Sequence, residues 1–186
     1  MLDVAGSRYL FHGHAIVSAN DRIADATGLT PPSLRIEADW RRFQAALDRA
    51  AVAVLGRLGH EANPNRRGRN RLVLSSAVRA LERRDDAWWW NPDDVPLAEA
   101  LVVAAPAGGI VAVPGGRRVF DFFLNVGYDE FHLTRVDGVV VAGGVPIFSG
   151  IDGDGGAVRR LAEGGLRPAP VVEIDPGVHL TVWRKP

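Results

Sequence analysis

The sequence predicts an α/β protein: a single domain over residues 1–186, with a central, mostly parallel twisted sheet, helices on both faces and antiparallel strands at its C-terminal end. Three observations carry this expectation. Short continuous apolar runs such as AVAVLG (51–56), RLVLSS (71–76) and GIVAVP (109–114) have the pattern of strands buried on both faces. Stretches with apolar residues at three- and four-residue intervals fall between such runs. The two patterns alternate, and alternating strands and helices imply parallel strands joined by crossover helices. A chain of 186 residues suffices for one core of ordinary size, and no linker or internal repeat divides it.

The elements follow in order. YLFHGHAIVSAN (9–20) is apolar and β-branched, the first buried strand, and runs into the polar, Gly- and Pro-containing loop NDRIADATGLTPPS (20–33). Ile36, Trp40, Phe43, Leu47 and Ala50 place one apolar stripe on a helix from about 35 to 50. AVAVLG is the next strand, HEANPNRRGRN (60–70) a loop and RLVLSS another strand. A Trp-rich strand at 87–90 precedes a helix from about 93 to 105 opened by NPDD (91–94), where proline lacks the amide hydrogen that a first turn leaves orphaned. GIVAVP, a helix at 117–126 and the strand EFHLTRV (130–136) complete the alternation. After about residue 137 no helix is expected; VVVAGGVPIF (139–148), PVVEID (170–175) and VHLTVWR (178–184) read as strands and hairpins.

Composition narrows the function classes. The net charge is zero, from 22 basic and 22 acidic side chains, which excludes a general nucleic-acid or anionic-membrane binder resting on excess Lys and Arg. A small-molecule partner is expected instead, bound by a monomer or homodimer. The absence of cysteine excludes disulfides, iron–sulfur ligation and thiol catalysis. The start MLDVAGSRYLFHGH lacks the charged opening and apolar run of a secretion signal. No segment offers the roughly 20 apolar residues of a membrane helix, so a cytoplasmic location is expected.

Several motifs carry chemistry. In VAVPGGRRVFDFFL (111–124) a strand runs through Gly115-Gly116 into a helix that begins with Arg117 and Arg118. Ligands of open α/β sheets sit beyond the carboxyl ends of strands, where helix amides and the helix dipole favour an anion. A plain tight turn accounts for one of the glycines and less well for two. Arg57 follows a second strand and Ser75-Ser76 end a third. Together they have the donors to hold a phosphate monoester such as the 2′-phosphate of NADP, although serine also serves as an ordinary cap. Asp39, in EADWRRF (37–43), stands beside Trp40 and one turn before Phe43. At the edge of an apolar cleft it accepts two parallel N–H bonds from an amino-heterocycle; otherwise it is a solvated carboxylate in a helix's first turn. His12 and His14 in FHGH (11–14) alternate as strand residues, but no Cys, Asp or third His is near in sequence, so no metal ligand is assigned. DGDGG (152–156) resembles a calcium loop without its later ligands and reads as a hairpin turn. WWW (88–90) reads as core and sheet edge, and RRGRNR (66–71) as a solvated loop with an arginine available to a carboxylate.

Taken in register, these pieces resemble the dihydrofolate reductase family over roughly residues 14–137. The family's first strand ends in Asp-Arg, as AIVSANDRI does at Asp21 and Arg22. Its Ala-Asp-x-x-x-Phe frame is similar to ADWRRF, its Met-Gly-Arg to LGR (55–57), and its loop into the next strand to RGRNRLVLSS (67–76). The paired glycines and the strand FHLT (131–134), ending at Thr134, complete the match. The resemblance implies an NADPH-dependent reductase, with NADH as a possible substitute, that transfers hydride to a 7,8-dihydropterin such as dihydrofolate or dihydromethanopterin. Asp39 would hold the amino-pyrimidine edge, with Thr134 hydrogen-bonding behind it. Ile16, Val17 and Pro114 would line the pterin and nicotinamide pocket, Trp40 and Phe43 the substrate face, and Arg69 would meet a carboxylate tail. Val17, Gly56, Arg57, Ser75, Ser76, Gly115, Gly116, Arg117, Arg118 and Val119 would hold the cofactor, with a cis bond between the two glycines. Leu58 and Gly59 stand where the family has a basic residue and a threonine, which leaves pyrophosphate contacts to backbone amides. GLTPPSLRIE (28–37) lacks the family's loop tryptophan. GGVPIF (143–148) is similar to a segment of the riboflavin-pathway reductases, which act on a ribosylamino-pyrimidine phosphate and share the fold. That reaction, and a non-catalytic pterin or nucleotide binder, are the alternatives.

Overall fold

In the computed structural model, which describes residues 1–151 and 155–186, the chain enters on a hairpin. Strand β1 (Leu2–Val4) folds back antiparallel onto β2 (Ser7–Ser18). Ala5 and Gly6 turn the chain with φ of 49° and 79°, the positive values that two-residue hairpins require. There follow β3 (Arg22–Ala24), a 3₁₀ turn at Pro32–Leu34, α1 (Glu37–Arg49), β4 (Val52–Gly56) and α2 (Arg57–Ala62). Next come β5 (Arg71–Leu74), β6 (Glu82–Arg84), β7 (Ala87–Trp90), α3 (Leu97–Ala104), β8 (Gly109–Gly115), α4 (Arg117–Val126) and β9 (Glu130–Val136). The chain closes with β10 (Val145–Pro146), α5 (Gly156–Glu163), β11 (Arg167–Pro168), β12 (Val172–Asp175) and β13 (Val178–Arg184).

The main sheet runs in the order β11, β13, β9, β2, β8, β4, β5, β7, β6, with β1 added to β2 and β12 to β13. Strands β9, β2, β8, β4, β5 and β7 are parallel, as the alternating sequence pattern predicts. Antiparallel β13 and β6 flank them. Val52, Val54, Leu72, Val111 and Val113 have no exposure, the condition of central strands covered on both faces. Gly13 of β2 lies beside Phe131 of β9, and a Cβ at Gly13 would collide with the Phe131 ring. Phe131 thus closes over bare backbone and packs edge-on to Tyr128 and against Phe120 and Phe148. Trp89 and Trp90 are buried, and Trp88 is partly buried on β7 between β5 and the edge strand β6, with Arg83 over its ring, so the run lies inside the sheet and not at its edge. Among the described residues no helix is long and apolar enough to cross a membrane.

The structure departs from the sequence expectations at several places, among them α2, which extends into the expected loop 60–70. The helix expected from about 93 begins at Leu97, because NPDD closes into a turn in which the amides of Asp94 and Val95 donate to the Asn91 carbonyl. Pro96 has no amide to continue that turn and disfavours helical backbone at Val95, so the helix restarts after it. Beyond residue 137 a helix does occur: α5 buries Ala157 and Leu161 on one face. Of the DGDGG stretch, 152–154 lie outside the described residues, and Gly155 and Gly156 open α5 instead of closing a hairpin. Of VVVAGGVPIF only Val145–Pro146 is strand, paired with β3 in a separate two-stranded ribbon. Finally, no cis peptide occurs among the described residues: the Gly115–Gly116 bond is trans, with φ of 112° and 71° at the two glycines.

Candidate active site

Because β2, β4, β5, β8 and β9 are parallel, their carboxyl ends share one edge of the sheet. That edge gathers Ile16 and Val17, Gly56 and Arg57, Ser75 and Ser76, Gly115 and Gly116, and Thr134. Helix α1 has no fully buried residue: it stands off the sheet instead of sealing it. Asp39 enters this gap from the helix's first turn, and the Thr134 hydroxyl donates to Asp39 Oδ1 at 2.5 Å. Thr134 is only 1% exposed and pairs in register with Ile16 on the neighbouring strand. Burial pushes the Asp39 carboxyl above its ordinary pKa, against the pull of the Thr134 hydroxyl and the Arg42 charge. Phe43 follows one turn later on the same side, its ring 6.1 Å from that of His14. Trp40 packs on Phe43 at 5.8 Å but remains 50% exposed, at the rim of the gap and not in its floor.

On the far side, Gly116 caps α4, and its carbonyl accepts from the Val119 and Phe120 amides. A Cβ at Gly115 would meet the Phe120 ring at 2.7 Å, whereas one at Gly116 would meet nothing within 4 Å. The first glycine is therefore required by packing and the second by its left-handed φ, and Gly116 leaves open space above the helix start. Exposed Arg117 and Arg118 flank that space. A cavity of about 250 Å³ adjoins it, lined by Leu74, Pro92, Asp93, Arg118, Asp121 and Phe122. A glycine-floored helix start flanked by two arginines can take an anion such as a phosphate, whereas the neighbouring cavity, with Asp93 and Asp121 in its wall, is not itself an anion site.

Other residues are positioned differently from the expectation. The side chains of Val17 and Val119 are buried in the core, so only their backbone atoms face this edge. Pro114 is half-buried at the end of β8. The Ser75 hydroxyl accepts from the Ala77 amide at 3.2 Å and so closes a local turn after β5, with no helix there to cap, while Ser76 is exposed. Arg57 pairs with Glu61 on α2 at 3.0 Å. Arg69 is held to α1 by Asp48 at 2.6 Å and by the Gln44 carbonyl at 3.2 Å, and Arg67 takes the other oxygen of the same carboxylate. Asp21, the first half of the Asp-Arg match, is completely buried as the partner of Arg135.

A set of residues that sequence spacing does not reveal lies farther along the same gap. His12 of β2 is in register with Glu130 of β9, and His14 with His132. The His14 and His132 rings stack at 4.6 Å. Burial, helped by the charges of His132 and His12, drives the His14 pKa down to about 3. The alternation of His12 and His14 is visible in the sequence; their neighbours on β9, some 118 positions later, become adjacent only through the parallel pairing.

No family model and no curated protein sequence matches the chain. Solved structures do. A protein assigned to riboflavin biosynthesis from Shewanella sp. PV-4 superposes with a TM-score of 0.67 at 16% identity, over 95% of this chain and 99% of that one. Dihydrofolate reductase from Enterococcus faecalis, solved in complex with NADP(H) and RAB-propyl, gives 0.66 at 16% identity, over 94% and 95%. A diaminohydroxyphosphoribosylaminopyrimidine deaminase/5-amino-6-(5-phosphoribosylamino)uracil reductase from Thermotoga maritima gives 0.65 at 16% identity, over 96% of this chain and 57% of that one. The fold is therefore the dihydrofolate reductase-like α/β fold.

Proposed function

We propose that the protein is an NAD(P)H-dependent reductase whose substrate is a 7,8-dihydropterin. The observation that carries this reading is the Asp39–Thr134 pair: a carboxylate at the open edge of a parallel sheet, oriented by a hydroxyl 2.5 Å away and shielded from water. Such a carboxylate accepts two parallel N–H bonds from an amino-pyrimidine edge and fixes the ring's orientation. Its negative charge also stabilises the positive charge that the ring gains on protonation in the transition state. Thr134 holds Oδ1 and so limits rotation of the carboxylate. Phe43 supplies apolar surface for the ring. Gly115, Gly116, Arg117 and Arg118, with the exposed Arg57 and Ser76, are the residues that would hold a nicotinamide dinucleotide, which supplies the hydride when bound.

One observation shapes the substrate class. Arg69, the residue implied for a carboxylate tail, is turned onto Asp48 and the Gln44 carbonyl of α1, which engages its guanidinium there and favours a pterin that presents no carboxylate to it. It also lends weight to a second reading, a reductase of a ribosylamino-pyrimidine phosphate, which needs no tail contact. Oxidation of NADPH and NADH, followed in parallel with dihydrofolate, a tail-modified dihydropterin and the ribosylamino-pyrimidine phosphate, separates them. The expected result is turnover with a dihydropterin, and a fall in kcat/KM of about 10²–10³-fold in Asp39→Asn. Turnover of the pyrimidine phosphate alone, or an Asp39→Asn enzyme of unchanged rate, would overturn the proposal.

A further inference from the structure

His12, Glu130 and His132 occupy one face of two adjacent parallel strands. The register sets His12 beside Glu130, and the two-residue repeat of a strand returns His132 to the same face. One ligating atom from each side chain lies within 4.8 Å of those of the other two. From these positions we infer that His12, Glu130 and His132 form a binding site for a divalent transition-metal ion, apart from the Asp39–Thr134 pair.

The donor set selects the ion. Two imidazoles and one carboxylate suit Zn²⁺, Co²⁺ or Ni²⁺, whereas Ca²⁺ and Mg²⁺ require mostly oxygen ligands. Metal–ligand bonds of about 2.0–2.2 Å bring tetrahedral donors to roughly 3.4 Å from one another, a closure of at most about 1.4 Å within reach of side-chain torsions. The surroundings hold the ligands in place. Glu130 Oε1 accepts from Arg184 Nε at 2.9 Å, so Oε2, 3.2 Å from His132 Nε2, is the oxygen turned toward the imidazoles. His14 is not a ligand but stacks on His132 and fixes its ring plane. The three ligands open onto a cavity of about 230 Å³, whose walls include Ala46, Arg49 and Ile110. A metal with three protein ligands keeps at least one position for water or another small ligand. Arg49 on the cavity wall gives that position a preference for an anion.

The test reads metal binding directly and is independent of any reductase activity. The untagged full chain, freed of metal, is titrated with Co²⁺ and followed by visible d–d absorption. Saturation at one equivalent, with the intense spectrum of a low-coordinate nitrogen–oxygen site that Zn²⁺ then abolishes, is expected. His12→Gln and His132→Gln should each weaken binding more than about 100-fold, beyond the roughly 10–100-fold that losing an outer-shell partner costs. Glu130→Gln keeps the side-chain shape while removing the anionic ligand and should weaken it likewise. His179→Gln, on the surface beside Asp137, should leave it unchanged. Far-UV circular dichroism establishes that each variant is folded. Absence of saturable Co²⁺ binding, or binding that folded Glu130→Gln and either histidine variant retain within twofold, would overturn the inference.

Discussion

Asp39 illustrates what the burial of one carboxylate does to stability. Burial raises its pKa, so at neutral pH the fold carries an ionised carboxyl that would be better solvated in the unfolded chain. A folded pKa above the unfolded value contributes stability that is fully present below the unfolded pKa and lost as pH rises through the folded one. Asn keeps the shape and can still accept from Thr134, so Asp39→Asn should be more stable than the native protein at neutral pH. The difference should close as pH falls through the ordinary carboxylate range. Urea midpoints across that range measure it, and a less stable variant at neutral pH would contradict the reasoning. Thr134→Val removes the hydroxyl that draws the carboxyl down, so Asp39 should titrate at still higher pH; a carboxyl-carbon NMR titration that moved the other way would refute it.

At the scale of elements, strand pairing determines what the sequence could and could not disclose. The helix at 117–126 and the strand at 130–136 fall where the sequence pattern puts them: the helix buries Val119, Phe120 and Phe123, and the strand turns Phe131 and Leu133 to the core. Helix α5 was hidden because it is eight residues long, opens on two glycines and receives its N-terminal acceptor from Asp21, 136 positions earlier. The Asp39–Thr134 pair was legible through the family resemblance, while the Glu130–His132 partners of His12 and His14 were not, since cross-strand adjacency leaves no mark along the chain. The trans Gly115–Gly116 bond and the Asp48 clamp on Arg69 are tertiary facts of the same kind. The β2–β9 pairing itself rests on Gly13. An alanine there forces Phe131 off the strand, so Gly13→Ala should destabilise by about 1–3 kcal/mol, the usual range for overpacking. Adding Phe131→Leu should recover part of that loss in guanidinium denaturation. If Gly13→Ala melts like the native protein, the close approach of ring and backbone does not constrain the sheet.

Across the whole molecule, Asp21 ties together three segments that lie far apart in the chain. It is 0% exposed and follows the end of β2 with a positive φ of 59°, a conformation that Asp and Asn tolerate better than most residues. Oδ1 accepts from Arg135 Nη2 of β9 at 2.6 Å, Oδ2 from the Ala157 amide of α5 at 3.0 Å, and its carbonyl from the Ile147 amide. Arg135 also donates to the Ser18 and Ala19 carbonyls, so its guanidinium pins the end of β2 from the neighbouring strand. One carboxylate therefore fixes the chain leaving the first parallel strand, the strand that supplies Thr134 and the late helix. Asp21→Asn retains the backbone conformation but leaves Arg135 without its counter-charge. Breaking a fully buried pair from one side costs about 3–5 kcal/mol; Arg135 keeps 24% exposure, so the loss should be at most about 3 kcal/mol, a fall in Tm of at most about 6–12 °C at this chain length. Arg135→Met strands the carboxylate instead and should cost a similar amount. The double variant should lose distinctly less than the sum of the two, because it removes both charges together. Additive losses in this cycle would mean that Asp21 acts through its backbone position and the α5 cap, and that the ion pair contributes nothing to joining the three segments.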